Sequence, residues 1–347
     1  MNKPISSTSI LIIQTAFLGD VILTTPLVSA LQKGIPGCQI DFLTIPNSKN
    51  VVESNPNLRD IIIFDKRGKD RSWGGLRRLG KLLAGNGYSI CVTPHRSWRS
   101  AYLTHRSGAD IRIGFDHSAW SGVFTHLINY QNDRHEILRN LSLLGPLNIE
   151  TERLVPELYP TMEDQKTVKS FMVEFLNEDQ QSLFAIAPGS IWSTKRWPVE
   201  NYSEVIKNLT GEGIRTVLIG GREDMDLCNE IAVRQDQCFS LAGKLSIRQT
   251  YQLLRSCQGL LTNDSAPLHL GMAASIPVFA VFGATIPEFG FAPFGKKAYI
   301  FENKKILCRP CGIHGGTKCP VRTFACMESI HPLFVAEKIK KIISNRR

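Results

Sequence analysis

Three segments of this chain combine residue types that could move a proton or hold a phosphate. The first is Thr15–Asp20 (TAFLGD), between an apolar run, Ser9–Gln14, and a helical pattern from Asp20 to about Lys33. A carboxylate at a helix start can cap free amides and complement the helix dipole. At the mouth of a strand–helix loop it can also act as a general base toward an incoming hydroxyl. The loop holds one glycine, Gly19, so it is not the three-glycine fingerprint of a dinucleotide site.

The second segment is Ala187–Pro198 (APGSIWSTKRWP). An apolar run ends in Pro188-Gly189, hydroxyls follow at Ser190 and Thr194, and Lys195 precedes a helix that Pro198 can start. Small residues, hydroxyls and a lysine ahead of a helix suit a phosphate cradle. The same loop could equally be an exposed basic turn anchored by a buried Trp197. The third segment is Leu261–Thr285, where Asn263-Asp264-Ser265 opens a helix carrying His269. Asp264 could cap that helix and His269 could be a core residue; both could also face a ligand.

Two further patterns are weaker. Asp224-Met225-Asp226 resembles a metal–diphosphate string, but it follows Gly220-Gly221-Arg222-Glu223 at a helix start, where capping is the simpler reading. Cys308, Cys311, Cys319 and Cys326 have intervals that only half match a structural zinc site. The basic run from Lys66 to Lys81 reads as a solvated face able to meet anionic lipid or a phosphorylated acceptor. Pro94–Ser100 (PHRSWRS) follows an apolar run, which makes His95, Arg96 and Arg99 the better acceptor candidates.

Positioning these residues requires strands and helices in alternation. Ser9–Gln14, Gln39–Thr44, Asp60–Phe64 and Tyr88–Thr93 read as buried parallel strands, and so do Leu183–Ala187, Thr216–Ile219, Gly259–Thr262 and Val278–Phe282. Glu150–Thr161, with Pro156 and Pro160, has no period and reads as a linker. The expected class is α/β, with two Rossmann-like domains whose parallel sheets face a central cleft. Their bounds are about residues 1–160 and 161–330. An amphipathic helix over 331–347 is expected to pack back on the N-terminal domain.

Composition narrows the partners. The 347 residues carry a formal net charge of +10, which favours phosphate-rich substrates or an anionic membrane face. No nucleic-acid module is visible. The nine cysteines form no disulfide scaffold and fit a reducing compartment. Polar residues interrupt the N-terminal apolar run, which reads as a core strand rather than a signal peptide. No run is long enough to span a bilayer.

In their order and spacing these segments resemble glycosyltransferase family 9, the bacterial heptosyltransferases, nearest the heptosyltransferase II branch. The residues that carry the resemblance are Ile10–Leu31, PHRSWRS, RIGFD at Arg112–Asp116, GSIWSTKRWP at Gly189–Pro198, NDSAPLHLGMA at Asn263–Ala273 and the cysteine-bearing tail through Met327. The resemblance implies the GT-B arrangement and an inverting transfer that needs no metal and no cofactor. The donor would be ADP-heptose and the acceptor a heptose of the lipopolysaccharide inner core. The enzyme would be cytoplasmic and peripheral to the inner membrane. Asp20 would be the catalytic base. Lys195, Ser190 and Thr194 would meet the donor diphosphate, and Asp264 the donor hydroxyls. Ser265, Ala266 and His269 would line the phosphates, with Glu223, Asp224 and Leu245 near the nucleoside. Where many members of the family have glycine or methionine after the Asp-Ser or Asp-Thr pair, this chain has Ala266-Pro267. Another nucleotide sugar or acceptor, or a non-catalytic carbohydrate-binding relative, stays open.

Overall fold

The computed structural model describes residues 8–151, 155–175 and 182–344, and it divides into two units, Met1–Tyr159 and Pro160–Arg347. Residues 152–154 of the expected linker lie outside the described residues.

The first unit holds a six-stranded sheet of β1 (Ser9–Ile13), β2 (Gln39–Thr44), β3 (Asp60–Ile63), β4 (Ile90–Thr93), β5 (Ile111–Phe115) and β6 (His126–Ile128). All pairings are parallel, in the order β3-β2-β1-β4-β5-β6. The central strand β1 is buried throughout, as a run of isoleucine and leucine covered on both faces should be. The helix Leu18–Gly34 follows it with Pro26 inside. Proline cannot donate to the carbonyl four residues back. The hydroxyl of Thr25 donates to that Ile22 carbonyl at 2.8 Å instead, so the helix that carries Asp20 runs on.

The second unit repeats the plan with β7 (Leu183–Ala187), β8 (Arg215–Leu218), β9 (Cys238–Ser240), β10 (Leu260–Asn263), β11 (Val278–Phe282) and β12 (Ala298–Glu302). Its order is β12-β11-β10-β7-β8-β9, again all parallel. Each unit therefore has the doubly wound Rossmann order, and the pair of them is the GT-B architecture. The order reverses between β1 and β4 in the first sheet and between β7 and β10 in the second. At such reversals the loops beyond the strand ends diverge and leave a crevice for ligand.

The C-terminal helix, Pro332–Ser344, buries its apolar face within the second unit. Its apolar positions Val335, Ala336, Ile339 and Ile343 are buried in one cluster with Tyr202, Val205, Ile206 and Leu209 of the helix Val199–Thr210. The 3–4 spacing builds a single stripe, and the second unit's own core takes it up.

Candidate active site

The loops Thr15–Asp20, Pro94–Ser100 and Ala187–Pro198 and the Asn263–Ser265 turn each leave a strand beside one of the two reversals. In the first unit these are the loops after β1 and β4. Asp20 lies in the first turn of the helix Leu18–Gly34, where its Oδ2 accepts from the Phe17 amide at 3.2 Å. The capping role is therefore real, and it fixes the carboxylate at the strand end. Burial, and then the charge of Glu136, push the Asp20 pKa up to about 7, against the pull of the Phe17 amide and Arg96. A carboxylate with that pKa is matched to proton transfer near neutral pH.

Opposite it, on the loop after β4, His95 Nδ1 lies 2.8 Å from both Thr15 Oγ1 and Ser100 Oγ. Burial and the neighbouring Lys66 and Arg96 lower the His95 pKa to about 4, so the imidazole is neutral at pH 7. Arg96 sits 4.1 Å over the Tyr130 ring, which Arg139 covers at 4.8 Å. Arg139 in turn bonds Glu136 at 2.9 Å, and the Tyr130 hydroxyl donates to the same carboxylate. Arg99 lies 5.2 Å from the Trp98 ring.

Lys66 separates from the rest of the basic run. Its Nζ donates to the Thr15 carbonyl at 2.6 Å, and burial with Arg67 and Arg99 lowers its pKa while Asp20 raises it. Reading the run as one solvated face missed this cation. No local signal marks it, because its partner lies on the loop after β1.

In the second unit the loops after β7 and β10 meet. Lys195 Nζ lies 2.6 Å from Asp264 Oδ2, and the Thr285 hydroxyl donates to the same oxygen at 2.7 Å. Lys195 and Asp264 are 9% and 8% exposed, so the pair is nearly dry while its loops still stand at the sheet's edge. The alternative role for Trp197 is realised as well. It is buried, with its amide donating to Asn263 Oδ1 and its indole N–H to the Ile330 carbonyl. Asn263 Nδ2 donates to the Pro188 carbonyl at 2.8 Å, which ties the two loops together.

The other candidates fall into place around this pair. Ser190 is buried and accepts from the Trp192 amide, while Arg196 Nε braces the Ser190 carbonyl at 2.8 Å. The Thr194 hydroxyl is engaged by Gly316, donating to its carbonyl at 2.9 Å and accepting from its amide at 2.8 Å. Thr194 therefore clasps the cysteine-bearing segment to the Lys195 turn. Ser265 caps the helix Ala266–Ala273, and His269 is buried within it. Pro267 removes one amide there and the Leu268 amide bonds the Ser265 carbonyl, so Ser265 and Ala266 carry the free donors.

Asp224 and Glu223 sit after β8 in the turn that starts the helix Met225–Val233. Asp224 Oδ2 accepts from the Gly221 amide at 3.0 Å, and burial raises its pKa. Its carboxylate lies so close to Gly189 that a Cβ there would force it to move. Capping thus explains the Asp-Met-Asp string. The turn after β9 adjoins it: the Gly243 amide donates to the Gly220 carbonyl at 3.0 Å, and half-buried Leu245 follows.

All nine cysteines are free thiols. Among the described residues no group of three His, Cys, Asp or Glu side chains is arranged to hold a metal ion. Cys308 and Cys311 instead flank Arg309, whose guanidinium bonds the carbonyls of Gly283 and Thr285 at 2.6 and 2.7 Å and Glu302 at 3.0 Å. Thr285 and Arg309 are the parts of this site that sequence reading did not single out.

The chain is similar to known lipopolysaccharide heptosyltransferases. Lipopolysaccharide heptosyltransferase 3 of Escherichia coli is 29% identical over 78% of this chain and 82% of its own length. Lipopolysaccharide heptosyltransferase 2 of Salmonella typhimurium is 26% identical over 84% and 87%. The solved structure of Escherichia coli ADP-heptose lipopolysaccharide heptosyltransferase II superposes with a TM-score of 0.79 at 22% identity, covering 98% of this chain and 99% of that one. Residues 76–315 match the family described as glycosyltransferase family 9 (heptosyltransferase), a span holding most of the second unit's candidate loops together with His95, Arg96 and Arg99. The chain belongs to that family and is a glycosyltransferase.

Proposed function

We propose that this chain transfers heptose from ADP-L-glycero-D-manno-heptose to a heptose of the lipopolysaccharide inner core, with inversion and without a metal. The observation that carries the reading is the buried Lys195–Asp264 pair at the reversal of the second sheet, matched by Asp20, lifted to about pH 7, at the reversal of the first. The named relatives supply the sugar and the acceptor.

In this reading Asp20 takes the proton from the acceptor hydroxyl as its oxygen bonds the anomeric carbon. The bond from that carbon to the diphosphate oxygen breaks, and the electron pair leaves with ADP. Fixed positive charge aimed at the leaving group stabilises it without reorganisation. Lys195 supplies that charge and the amides of Ser265 and Ala266 supply donors. Asp264, held by Lys195 and Thr285, keeps one oxygen for donor hydroxyls. Ser190 and His269 flank the phosphates; Glu223, Asp224 and Leu245 border the nucleoside. Neutral His95, with Arg96 and Arg99, meets the acceptor. The enzyme works in the cytoplasm, peripheral to the inner membrane. No helix among the described residues is long and apolar enough to cross a membrane.

The test is turnover of purified protein with ADP-heptose and a truncated core acceptor, beside a panel of ADP- and UDP-sugars in ligand-dependent melting. Product from ADP-heptose with inverted configuration supports the reading. Stabilisation by another sugar nucleotide alone would redirect the donor assignment.

A further inference from the structure

The first unit carries an exposed aromatic face that the transfer chemistry does not use. Trp73, Trp98 and Trp120 are 54%, 46% and 54% exposed, so three of the chain's five tryptophans lie largely in solvent. They are not scattered. Trp98, Tyr102 and His105 are four and three residues apart on the helix Trp98–Arg106, which puts them on one stripe. Trp73, at the start of the helix Trp73–Gly85, stacks on Trp98 with centroids 5.9 Å apart and meets Tyr102 at a tilt with centroids 5.1 Å apart. Trp120 meets His105 at 5.8 Å.

Charge surrounds the rings. Residues 66–109 contain ten lysines and arginines and a single carboxylate, Asp70, which is buried and paired with Arg78. Nine of the chain's ten net positive charges therefore arise within this stretch. Arg77 lies one turn from Trp73 and Lys81 one turn further, both exposed. Arg67, Lys69 and Arg71 precede Trp73 and are also exposed.

We propose that this face, with Trp73, Trp98, Tyr102 and Trp120 ringed by Arg77, Lys81 and the 66–71 loop, docks the protein on an anionic lipid bilayer. Tryptophan and tyrosine rings settle at the level of lipid headgroups, where an apolar body and a polar edge are both satisfied. Each lysine or arginine near an anionic leaflet adds electrostatic attraction to it. Stacking on a nucleic-acid base fits less well. Trp73 stacks on Trp98 and Arg99 lies over Trp98, which leaves fewer faces of those two rings open to a base. The face also runs into the catalytic loop through Lys66, which bonds the carbonyl of Thr15. A lipid-anchored acceptor would reach Asp20 from that side. The proposal deepens the reading of a membrane-borne acceptor and rests on it only for this last point.

The test measures binding of the full chain to vesicles of phosphatidylcholine containing about a third phosphatidylglycerol, against vesicles of phosphatidylcholine alone. We expect at least about tenfold tighter binding to the anionic vesicles, weakened by high salt, with a blue shift of tryptophan emission. Trp73→Ser with Trp120→Ser, and separately Arg77→Glu with Lys81→Glu, should each weaken vesicle binding about tenfold. Both should leave the far-UV spectrum and turnover of a lipid-free core oligosaccharide unchanged. Equal binding to both vesicle types, or variants that bind like the parent, would overturn the proposal. So would a single-stranded oligonucleotide that binds this face in preference to the anionic vesicles. If no acceptor turns over, the heptosyl reading fails, while the vesicle result still decides the docking face.

Discussion

Lys195 and Asp264 meet at 2.6 Å in a nearly dry pocket, and Thr285 donates to the carboxylate oxygen that the lysine holds. Removing one member of such a pair strands the other, which typically costs about 3–5 kcal/mol. Lys195→Met and Asp264→Leu should each lower the melting temperature and abolish stabilisation by ADP. The double variant should melt above either single one yet still fail to bind ADP. Melting with and without ADP checks this; additive losses in the double variant would show that the pair is not coupled. Thr285→Val should cost about 1–2 kcal/mol and weaken donor binding several-fold, with the acceptor KM unchanged.

As the proposed base, Asp20 should set the pH profile. With its pKa near 7, kcat/KM should rise with pH through about 7 and then level off. Glu136 raises that pKa by like charge, so Glu136→Gln should move the rise to lower pH. Asp20→Asn should lose about 10²–10⁴-fold in turnover. Its effect on stability has the opposite sign. A carboxyl whose folded pKa is raised binds its proton more tightly in the folded state, so it favours folding at acid pH and opposes it as pH rises through about 7. Asp20→Asn should therefore melt higher than the parent at pH 8 and by a smaller margin at pH 5.

His95 should mark the acid limb. Its folded pKa, near 4, lies below the unfolded value, so the folded state binds fewer protons than the unfolded one between those values. It therefore contributes stability that is present above about pH 6.5 and lost as pH falls toward 4. The parent's melting temperature should drop more steeply over that window than that of His95→Gln. Matching slopes would mean that the imidazole is not held neutral.

Gly189 tests the loop behind Ser190. A methyl there would strike the Asp224 carboxylate, so Gly189→Ala should destabilise the second unit and weaken donor binding. Asp224→Ala in the same chain should recover much of the stability. Failure of that rescue, read by melting, would place the strain elsewhere.

How far the sequence disclosed this arrangement depends on what each residue's partner is. Buried parallel strands such as Leu183–Ala187 and Val278–Phe282 are continuous apolar runs, and their bounds agree with the structure. β6, β9 and β12 lie at or near the sheet edges, keep exposed or half-buried residues, and show no such run. The helix Trp73–Gly85 was hidden in a stretch read only for its charge. Asp20 was legible as a helix start, but not the pressure from Glu136, which arrives from a distant helix. Lys195 looked ambiguous because its partner stands 69 residues away. The C-terminal helix was legible as amphipathic, yet an apolar stripe does not say which core will accept it.

The Thr194–Gly316 clasp makes the cysteine-bearing segment an outer wall of the Lys195 turn, and so of the proposed donor site, rather than a trailing appendage. Gly315 packs beside Thr194 and Lys195, and Arg309 fastens the same segment to the end of β11. A protease cut within 309–316 would leave all six strands of the second sheet intact. It would nonetheless release the lysine turn from its outer wall, so the nicked protein would keep its secondary structure and lose its grip on ADP.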